Sequence, residues 1–582
     1  MTAQPGAYEF GPFRLDPARH ALFRGDARVP LTAKSFDTLV ALVEQAGTAV
    51  AKESLLARVW SGVAVEDNSL AKAISELRKV LGDESHAPRF IATIPGHGYR
   101  FVASVTRVGG HEQPRRVAVM PFAIVNAPID DEYLGLGLAD ALIGRLSRVR
   151  EVIIRPTRAI LAFVHGNHDS VVAGRQLSVD YVVDGTIRRT ADRIRVTVQL
   201  VDVATGAVAW AKTFDETFHT LFALEDVMSE RIVGTLAVAL TLEDRQALTK
   251  RYTTSAEAYT WHLKGRVHLA SRTADGCERA LDEFHHALAA DPEDALAHAG
   301  IANAYVFLGV QALVMRGRRP EDVFPRAKTA VARALAIDDR LTEAYRVSAQ
   351  VSTLYDWDAA TAERAHLQSM VLNAHDPSSH HAYAMTLMFL GRYEEALRSV
   401  LRACELDANS PIIATNLARL LSYMRRHEEA LARFREILQD HPDFVVAHYR
   451  FGLALEAAGR YDEAIGQFEI ACRLSCDAPA PSAALACALA EDGQRRRSEE
   501  MLRALLTAAE REYVAAPCIA DVWLALGDLD RAFEWFDRGV AERSSMLVTL
   551  QVNPRYDAIR TDDRFQRLIE RVGLWRKPDA YP

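Results

Sequence analysis

A repeat with a period of 34 residues constrains the fold of this chain more than any other feature of its sequence. The segment GRYEEAL begins at Gly391, close copies begin at Arg425 and Gly459, and weaker copies begin at Gly493 and Gly527. Each copy places a turn before a helix with one apolar face, and such a hairpin cannot bury that face alone. We therefore predict that neighbouring hairpins stack into an all-helical superhelix with a concave groove.

The period and the position of the turn are those of the tetratricopeptide repeat (TPR). Looser copies upstream, at Trp357–Asp358 and at Asp291–Pro292, extend the predicted array. We predict the TPR array over residues 255–547 and a C-terminal cap over residues 548–582. The concave groove of such an array predicts a protein or peptide partner.

Length and charge set limits on the rest of the chain. With 582 residues it is too long for a single hydrophobic core, so several domains are expected. The net charge of −8 gives no general sign of nucleic-acid binding. It does not exclude such binding either, because an acidic C-terminal region can hide a locally basic face.

The six cysteines lie between Cys277 and Cys518 and form neither a disulfide framework nor a CxxC pair, which predicts a reducing compartment. Cys472 and Cys476 are one helical turn apart, and helix packing is favoured over metal binding because no second ligand pair accompanies them. The N-terminus lacks the features of a signal peptide, and no apolar stretch is long enough to span a bilayer. The sequence therefore predicts a cytoplasmic protein without a membrane span, a metal or a cofactor.

Three helices are predicted in the N-terminal region. Thr32 is a suitable N-cap for the first, which ends near Gly47, and the second extends over residues 52–60. The third, from Asn68 to Leu81, repeats apolar residues at helical spacing. Its opposite face carries polar and basic side chains, with Arg78 on the flank, and such a face can bind base edges and phosphates in a major groove. The residues of this face are Asn68, Lys72, Ser75, Glu76 and Lys79.

Residues 90–102, FIATIPGHGYRFV, are typical of a β-hairpin with a glycine-rich tip. A hairpin beside a polar helix forms a wing, and its polar side chains are predicted to meet phosphates or a minor groove. Those side chains are Thr93, His97, Tyr99 and Arg100. A solvated helix face is the simpler interpretation of the third helix taken alone, and the wing is the feature that favours DNA binding.

Five motifs link this region to a known family: Leu31–Asp37 (LTAKSFD), Leu55–Leu56 with Val59–Trp60, Asn68–Leu70 (NSL), Ile74–Asp83 (ISELRKVLGD) and the wing from Ile91 to Phe101. In order and spacing they resemble the OmpR/PhoB-type winged helix, and most closely the branch of ToxR- and CadC-like regulators. The resemblance implies a DNA-binding domain over residues 5–106 that starts with a four-stranded sheet. A linker over residues 107–116 would follow.

The resemblance also implies roles for single residues. Asn68 to Lys79 would form the recognition helix, with Ser69 at a phosphate. Lys72, Ala73, Glu76 and Arg78 would lie near bases. The loop between the second and third helices would contact RNA polymerase, and it consists of Ser61, Gly62, Val63, Ala64, Val65, Glu66 and Asp67.

Two residues depart from the pattern of the family. Glu76 stands where relatives often have a basic residue. Its carboxylate could accept from the N4 amine of a cytosine or pair with Lys72 or Lys79, and the pairing is the favoured interpretation. Pro95 replaces a basic residue of the wing, so no cation is expected to enter a minor groove from that position.

Strands and helices alternate between residues 117 and 245. The segments Val179–Arg189 and Arg193–Asp202, and a strand after the turn at Thr205–Gly206, are predicted to form antiparallel hairpins. Gly135 and Gly137 fit neither common nucleotide-binding pattern and are interpreted as easing the entry into a helix.

This middle region resembles the TolB-like α/β domain found in bacterial regulators. The resemblance rests on Val119–Phe122, Asp184–Thr186 and Trp210. It implies a sensing or transmitting role and names no ligand.

The sequence predicts no enzyme and no catalytic residues. The acidic pairs that begin at Glu394, Glu428 and Asp462 occupy the same repeat position, which indicates surface positions of a hairpin rather than an active site. No nucleophile elbow, zinc-protease helix or phosphate-binding loop occurs. No receiver domain precedes the winged helix, so control by phosphorelay is not expected.

The predicted fold is multidomain: an α+β winged helix-turn-helix, an α/β domain and an all-α TPR superhelix. The favoured function is transcription regulation, and the alternative is a TPR scaffold whose winged helix serves protein contacts. Exposed cations at Lys72, Arg78, Lys79 and Arg100 favour the regulator, because they supply non-specific affinity for DNA. Expected partners are double-stranded DNA, RNA polymerase and a protein or peptide in the groove. The promoter, the signal and a dimer on DNA stay open.

Overall fold

The computed structural model forms two compact units, residues 1–114 and 115–582. The structure describes residues 7–16, 21–25, 27–60, 68–84, 88–94, 96–103, 105–108, 114–125, 133–149, 151–164, 169–189, 193–217, 221–236, 248, 250, 252–311 and 317–574.

The first unit contains two antiparallel sheets and three helices. Four leading strands and a returning strand form a sheet in the order β4-β3-β2-β1-β8, so the predicted four-stranded sheet gains a fifth member. The other sheet, β5-β7-β6, contains the wing. The elements are β1 Ala7–Phe10, β2 Phe13–Asp16, β3 Ala21–Arg24, β4 Ala27–Val29, α1 Ala33–Val43, β5 Ala49–Ala51, α2 Lys52–Val59, α3 Asn68–Leu81, β6 Ile91–Ile94, β7 Gly98–Phe101 and β8 Thr106–Val108.

Aromatic rings join the leading sheet to the wing. The ring of Phe10 lies 4.9 Å from that of Phe101 and 5.8 Å from that of Phe90, both edge-on. Phe13 contacts Phe90 in the same way at 5.7 Å. Because these rings are buried together with the apolar faces of all three helices, this unit has a core of its own.

Helix boundaries in this unit follow the sequence signals. Thr32 caps α1, as predicted, and its hydroxyl accepts from the backbone N–H of Ser35. The third helix extends from Asn68 to Leu81, as predicted. The predicted linker over residues 107–116 overlaps strands at both ends, since β8 ends at Val108 and the next strand begins at Arg115.

The second unit starts with a mixed sheet in the order β11-β9-β12-β13-β14, with β10 beside β12. The strands β9, β11 and β12 are parallel, whereas β12, β13 and β14 form the predicted antiparallel hairpins. Helices pack against this sheet around one apolar core. The elements are β9 Arg115–Val119, β10 Ala123–Ile124, α4 Tyr133–Leu146, β11 Val152–Ile154, α5 Thr157–Ile160, α6 Ser170–Gln176, β12 Tyr181–Arg189, β13 Arg193–Asp202, β14 Val208–Thr217 and α7 Leu221–Thr235.

Gly135 has a packing role that its sequence context does not reveal. A Cβ atom there would lie 2.3 Å from the carbonyl oxygen of Phe122. The backbone N–H of Phe122 donates to the carbonyl oxygen of Gly135. The glycine therefore allows α4 to approach the strand region closely, which is more than an eased helix entry.

Helical hairpins occupy most of the remaining chain. Each first helix packs against the second helix of its own hairpin and against the next hairpin, as in TPR arrays. The helices, in pairs, are α8 Ala256–Ala270 and α9 Ala274–Ala290, α10 Ala295–Gln311 and α11 Pro320–Ile337, α12 Thr342–Val351 and α13 Ala359–Leu372, α14 Pro377–Phe389 and α15 Tyr393–Leu406, α16 Pro411–Tyr423 and α17 His427–Asp440, α18 Val445–Ala457 and α19 Tyr461–Leu474, α20 Pro479–Glu491 and α21 Arg495–Ala509, and α22 Ala516–Ala525 and α23 Leu529–Ala541.

The 34-residue step of the sequence coincides with the turn inside each hairpin. Gly391, Gly459, Gly493 and Gly527 all have positive φ angles there. Arg425 and Trp357 adopt the same left-handed conformation without being glycine, with φ of 63° and 59°. These turns confirm the repeat predicted from the sequence and the looser copy at Trp357.

The chain after the last hairpin lies against several hairpins at once. Arg543 donates to the carbonyl oxygen of Tyr355 in the third hairpin, and Asp557 pairs with Arg425 in the fifth. Arg555 pairs with Glu456 in the sixth. These contacts bring one short segment against hairpins that are far apart in sequence. We call residues 543–559 the C-terminal segment; it contains the helical turns Ser545–Thr549 and Pro554–Ile559 and precedes α24, Asp563–Val572.

The described residues contain neither a membrane-spanning helix nor a metal-binding cluster. No helix there is long and apolar enough to cross a membrane. No group of three or more His, Cys, Asp or Glu side chains in that part of the chain is arranged to hold a metal ion. All six cysteines are free thiols.

A buried ionic network joins the middle domain to the first hairpins. The guanidinium of Arg266 on α8 donates to Asp140 on α4 at 2.8 Å and to Glu343 on α12 at 2.9 Å. Burial alone raises the pKa of the Asp140 carboxyl, but the charge and hydrogen bonds of Arg266, with a hydrogen bond from Thr157, bring this pKa below its ordinary value. One arginine therefore holds two carboxylates that burial would otherwise penalise.

Replacement of Arg266 tests this network. Arg266→Ala leaves two buried carboxylates without their cation, and we expect a loss of about 3–5 kcal/mol in the free energy of unfolding. Urea unfolding of the full chain, followed by circular dichroism, measures it. Arg496→Ala is the matched control, because the Arg496 side chain is 92% exposed. Equal midpoints for the two variants would contradict the role given to Arg266.

Candidate nucleic-acid interface

The third helix presents a basic, polar strip to solvent. Lys72, Ser75 and Lys79 on α3 are exposed, and Ser69 is half-buried. The apolar side chains of the same helix, among them Leu70 and Leu77, are buried in the core of the unit. Burial of one face thus fixes which residues α3 offers to a partner.

Arg78 connects this helix to the wing. Its Nη2 donates to the carbonyl oxygen of Ile91 and to the hydroxyl of Thr93, both at 2.9 Å. The side chain is half-buried, and its Nε has no hydrogen-bond partner among the described residues. Arg78 therefore sets the position of β6 relative to α3, in addition to adding positive charge between them.

The wing carries the other predicted contacts. Thr93 and His97 are exposed, and Arg100 on β7 is half-buried. Gly98 allows the wing to close on β5, because a Cβ there would lie 2.0 Å from the carbonyl oxygen of Val50. The exposed wing residues and the exposed strip of α3 thus belong to elements that Arg78 joins.

Two residues of the predicted set are buried. Ala73 is 4% exposed and Tyr99 is 9% exposed, so both belong to the core. Helical spacing and strand alternation place a residue on a face, but the neighbouring elements decide whether that face is covered. Contact of Ala73 and Tyr99 with DNA stays a prediction, which this burial disfavours.

Glu76 is engaged within the domain. Its carboxylate accepts from the Ser35 hydroxyl at 2.6 Å and from the hydroxyl and backbone N–H of Thr32, at 2.9 and 3.2 Å. The hydrogen bond from Ser35, followed by those from Thr32, lowers the pKa of the Glu76 carboxyl despite partial burial. These partners at the N-terminus of α1 differ from the two interpretations offered by the sequence, a pair with Lys72 or Lys79 and a contact with cytosine, and the contact with cytosine stays a prediction.

Asp83 is a structural residue for which the sequence indicated no role beyond the family motif Ile74–Asp83. Its buried carboxylate accepts from the backbone N–H groups of Arg89, Phe90 and Ile91, at 2.6, 3.2 and 2.7 Å. It therefore fixes the chain between α3 and the wing. An aspartate just after the helix-ending Gly82 was the available signal.

Three predictions fall on parts of the chain outside the described residues. They are the polymerase-contact loop over residues 61–67, Pro95 in the wing and the side chain of Asn68. The backbone of Asn68 is described, and it begins α3.

Comparison with protein families identifies this unit. Residues 26–101 match the family described as "Transcriptional regulatory protein, C terminal". The first unit is an OmpR/PhoB-type winged-helix domain. Its wing is formed by β6 and β7, and α3 stands at the position predicted for the recognition helix. A solved structure of this type, the DNA-binding domain of E. coli CadC, is 27% identical and covers 18% of this chain and 100% of its own, with a TM-score of 0.17.

Other parts of the chain match further families. Residues 113–231 match "HilA/YgeH-like transcriptional regulator, second domain", and the TolB-like resemblance of this region stays a prediction. Residues 377–410 and 415–481 match tetratricopeptide repeats, which confirms the TPR prediction.

Two curated relatives show how far the similarity extends. The transcriptional regulator HilA of Salmonella typhimurium is 22% identical over 394 residues, 66% of this chain and 68% of that protein. "Putative adenylate cyclase 3" of Rhizobium meliloti is 30% identical over 186 residues, and this chain spans only 32% of its length. Together the matched domains and relatives support a DNA-binding transcription regulator that carries TPR repeats.

The interactions of Glu76 give a prediction for the winged-helix domain. Glu76→Ala removes three hydrogen bonds at the start of α1, and we expect a loss of about 1 kcal/mol in its free energy of unfolding. Trp60, the one tryptophan in residues 1–114, reports the transition in urea. Glu9→Ala, at an exposed position of β1, removes the same charge as a control.

The pKa of Glu76 adds a pH dependence to this test. Because it is lower in the folded state, the stabilisation is present above the ordinary value of 4.5 and is lost as the pH falls through the lowered pKa. The difference between wild type and Glu76→Ala should therefore shrink in acid. A difference that grows in acid would contradict the observed geometry.

Proposed function

We propose that this protein is a transcription regulator that binds promoter DNA with α3 in the major groove and the wing beside it. The exposed strip of α3, joined to the wing through Arg78, is the observation that carries the proposal. Lysine and serine side chains on such a strip suit both phosphates and base edges. As a regulator of bacterial DNA, the protein would act in the cytoplasm.

Within this proposal, residues have separate tasks. Lys72 and Lys79 supply exposed positive charge for phosphates, and Ser75 faces the bases. Thr93, His97 and Arg100 place the wing on the backbone of the duplex. Glu76 and Arg78 hold α3 in position against α1 and β6 through hydrogen bonds within the domain. The loop over residues 61–67 is proposed, from the family resemblance alone, to contact RNA polymerase.

The second unit is proposed to regulate this binding through a protein partner or a ligand. The middle domain and the first hairpins share the network around Arg266. Binding of a signal molecule to either part would therefore affect the conformation of both. The C-terminal segment already contacts the third and the sixth hairpin. A partner peptide would therefore compete with that segment or use the inner surface of the array closer to the middle domain.

Two other functions are less well supported. A TPR scaffold with a protein-binding winged helix gives no reason for the exposed lysines of α3. An adenylate cyclase is named among the relatives, but that similarity covers 32% of each chain. We propose a regulator that has no catalytic activity of its own.

Selection of genomic fragments by the full chain, followed by gel-shift at stated salt concentrations, tests DNA binding directly. A discrete, salt-sensitive motif is the expected result. Residues 1–114 give the second arm, since that unit has its own core. Absence of binding by both would refute the proposal and favour the scaffold.

Replacement of Lys79 tests the interface within the fold. Lys79→Ala should weaken binding to all DNA sequences and reduce the slope of log K against log salt by about one. Its stability should not change, because the side chain is exposed. Arg28→Ala, on the edge strand β4, is the matched control. An unchanged slope for Lys79→Ala would remove this residue from the interface.

A further inference from the structure

A cavity of about 570 Å³ lies where the middle domain meets the TPR array. Its walls come from α4, α5 and α7 on one side and from the first helices of the first four hairpins on the other. The network of Arg266, Asp140 and Glu343 forms part of the wall. Cavities of this volume at a junction between domains are the usual place for small ligands.

Seven arginines lie in the wall of this cavity, and three of them approach from separate elements. Arg158 lies on α5 of the middle domain, Arg272 lies in the turn of the first hairpin, and Arg346 lies on α12 of the third. No single element of secondary structure accounts for their convergence. Each guanidinium group carries several donors, which suit the paired oxygens of phosphate or carboxylate groups.

Carboxylates neutralise the positive charge of these three arginines only in part. Arg158 is paired with Asp407, which accepts from its Nε and Nη2 at 2.8 and 2.5 Å. The nearest carboxylate to Arg346 in an ion pair is Glu343 at 3.6 Å, and Arg266 and Asn303 already occupy that group. Arg272 forms no ion pair with any residue in the described ranges; its guanidinium lies over the ring of Phe307 at 4.6 Å.

The pKa values of groups in this region also indicate an excess of positive charge. Surrounding protein atoms, and after them the charges of Arg158 and Arg346, lower the pKa of Arg272 to about 10. Burial and the same three arginines lower the pKa of His381 to about 3, so this neighbouring imidazole is neutral. The region repels additional positive charge and would be stabilised by a bound anion.

Other polar groups of the cavity wall are also unsatisfied. The α12 helix begins at Thr342, which lines the cavity, and no side chain caps this helix. The buried Nδ1 of His262 has no hydrogen-bond partner among the described residues and lies 3.8 Å from Asp294. An uncapped helix start favours negative charge, and it adds to the effect of the three arginines.

We propose that this cavity binds a small molecule with two or more negative charges, held by Arg158, Arg272 and Arg346. The ligand is a phosphorylated or polycarboxylate metabolite, because guanidinium groups bind the oxygens of both. It contacts the middle domain and two hairpins at once, so it fixes their relative position. The inference rests on the proposed function, in which this unit senses a signal, and it names the chemistry of that signal.

Isothermal titration and thermal unfolding of the full chain test the site. The probes are inorganic pyrophosphate and citrate, each compared with sodium chloride at the same ionic strength. We expect saturable binding of at least one probe and a rise in Tm that sodium chloride does not reproduce. Pyrophosphate alone would indicate a phosphorylated ligand, and citrate alone a polycarboxylate.

Variants assign the binding to the cavity. Arg272→Gln should weaken binding of the probe by about tenfold, since one charged hydrogen-bonding group is lost. Arg346→Gln should weaken it similarly. Arg279→Gln is the matched control, because the side chain of Arg279 is 66% exposed on α9 and pairs only weakly with Asp275, at 3.9 Å.

Two outcomes would overturn the inference: no saturable binding of either probe, or binding that both cavity variants leave unchanged. DNA binding by the winged helix is measured on the same proteins. Variants that bind DNA but no anion support the cavity site, whereas a wild type that binds DNA but no anion refutes only this inference. A wild type without DNA binding refutes the proposed function instead.

Discussion

The guanidinium of Arg266, between Asp140 and Glu343, is the interaction on which the second unit depends. Its two carboxylate partners belong to the middle domain and to the third hairpin, while Arg266 itself belongs to the first. A buried pair of this kind is costly to break, because removal of one partner leaves an uncompensated charge. The middle domain therefore cannot be treated as a free spacer between the winged helix and the repeats.

The repeat shows how far sequence reasoning reaches in this chain. The period and the position of the turn can be recognised in the sequence because four of the turns use glycine in a left-handed conformation. Eight hairpins form within the described residues, and the sequence reveals the first three only in part. Arg272 and Trp357 adopt the same backbone without glycine, and the π-helical turn Ser352–Asp356 disturbs the register of the third hairpin. Local signals cannot predict where the C-terminal segment returns, since its partners lie up to 188 residues away.

The winged-helix domain shows what helical periodicity can and cannot predict. Helical periodicity correctly separated the buried face of α3 from the face with Lys72 and Lys79. It could not identify the partners of Glu76, because Thr32 and Ser35 come from another helix start more than 40 residues earlier. The burial of Tyr99 escaped the same reasoning, since it depends on β5 and the helices that cover the wing. The family resemblance was enough to predict the fold of this domain. The roles of single side chains follow only from the tertiary contacts.

The distribution of charge explains why net charge says little about this protein. In the repeats, α14 and α16 contain no acidic residue at all, whereas the paired helices α15 and α17 start with Glu394–Glu395 and Glu428–Glu429. Acidic side chains thus concentrate on the second helices of the hairpins. Among the first helices, α12 supplies Arg346, which lines the cavity, and α14 supplies His381, which lies close to it. A chain with a net charge of −8 can therefore offer cationic surfaces in two separate places, one to the phosphates of DNA and one to a small anion.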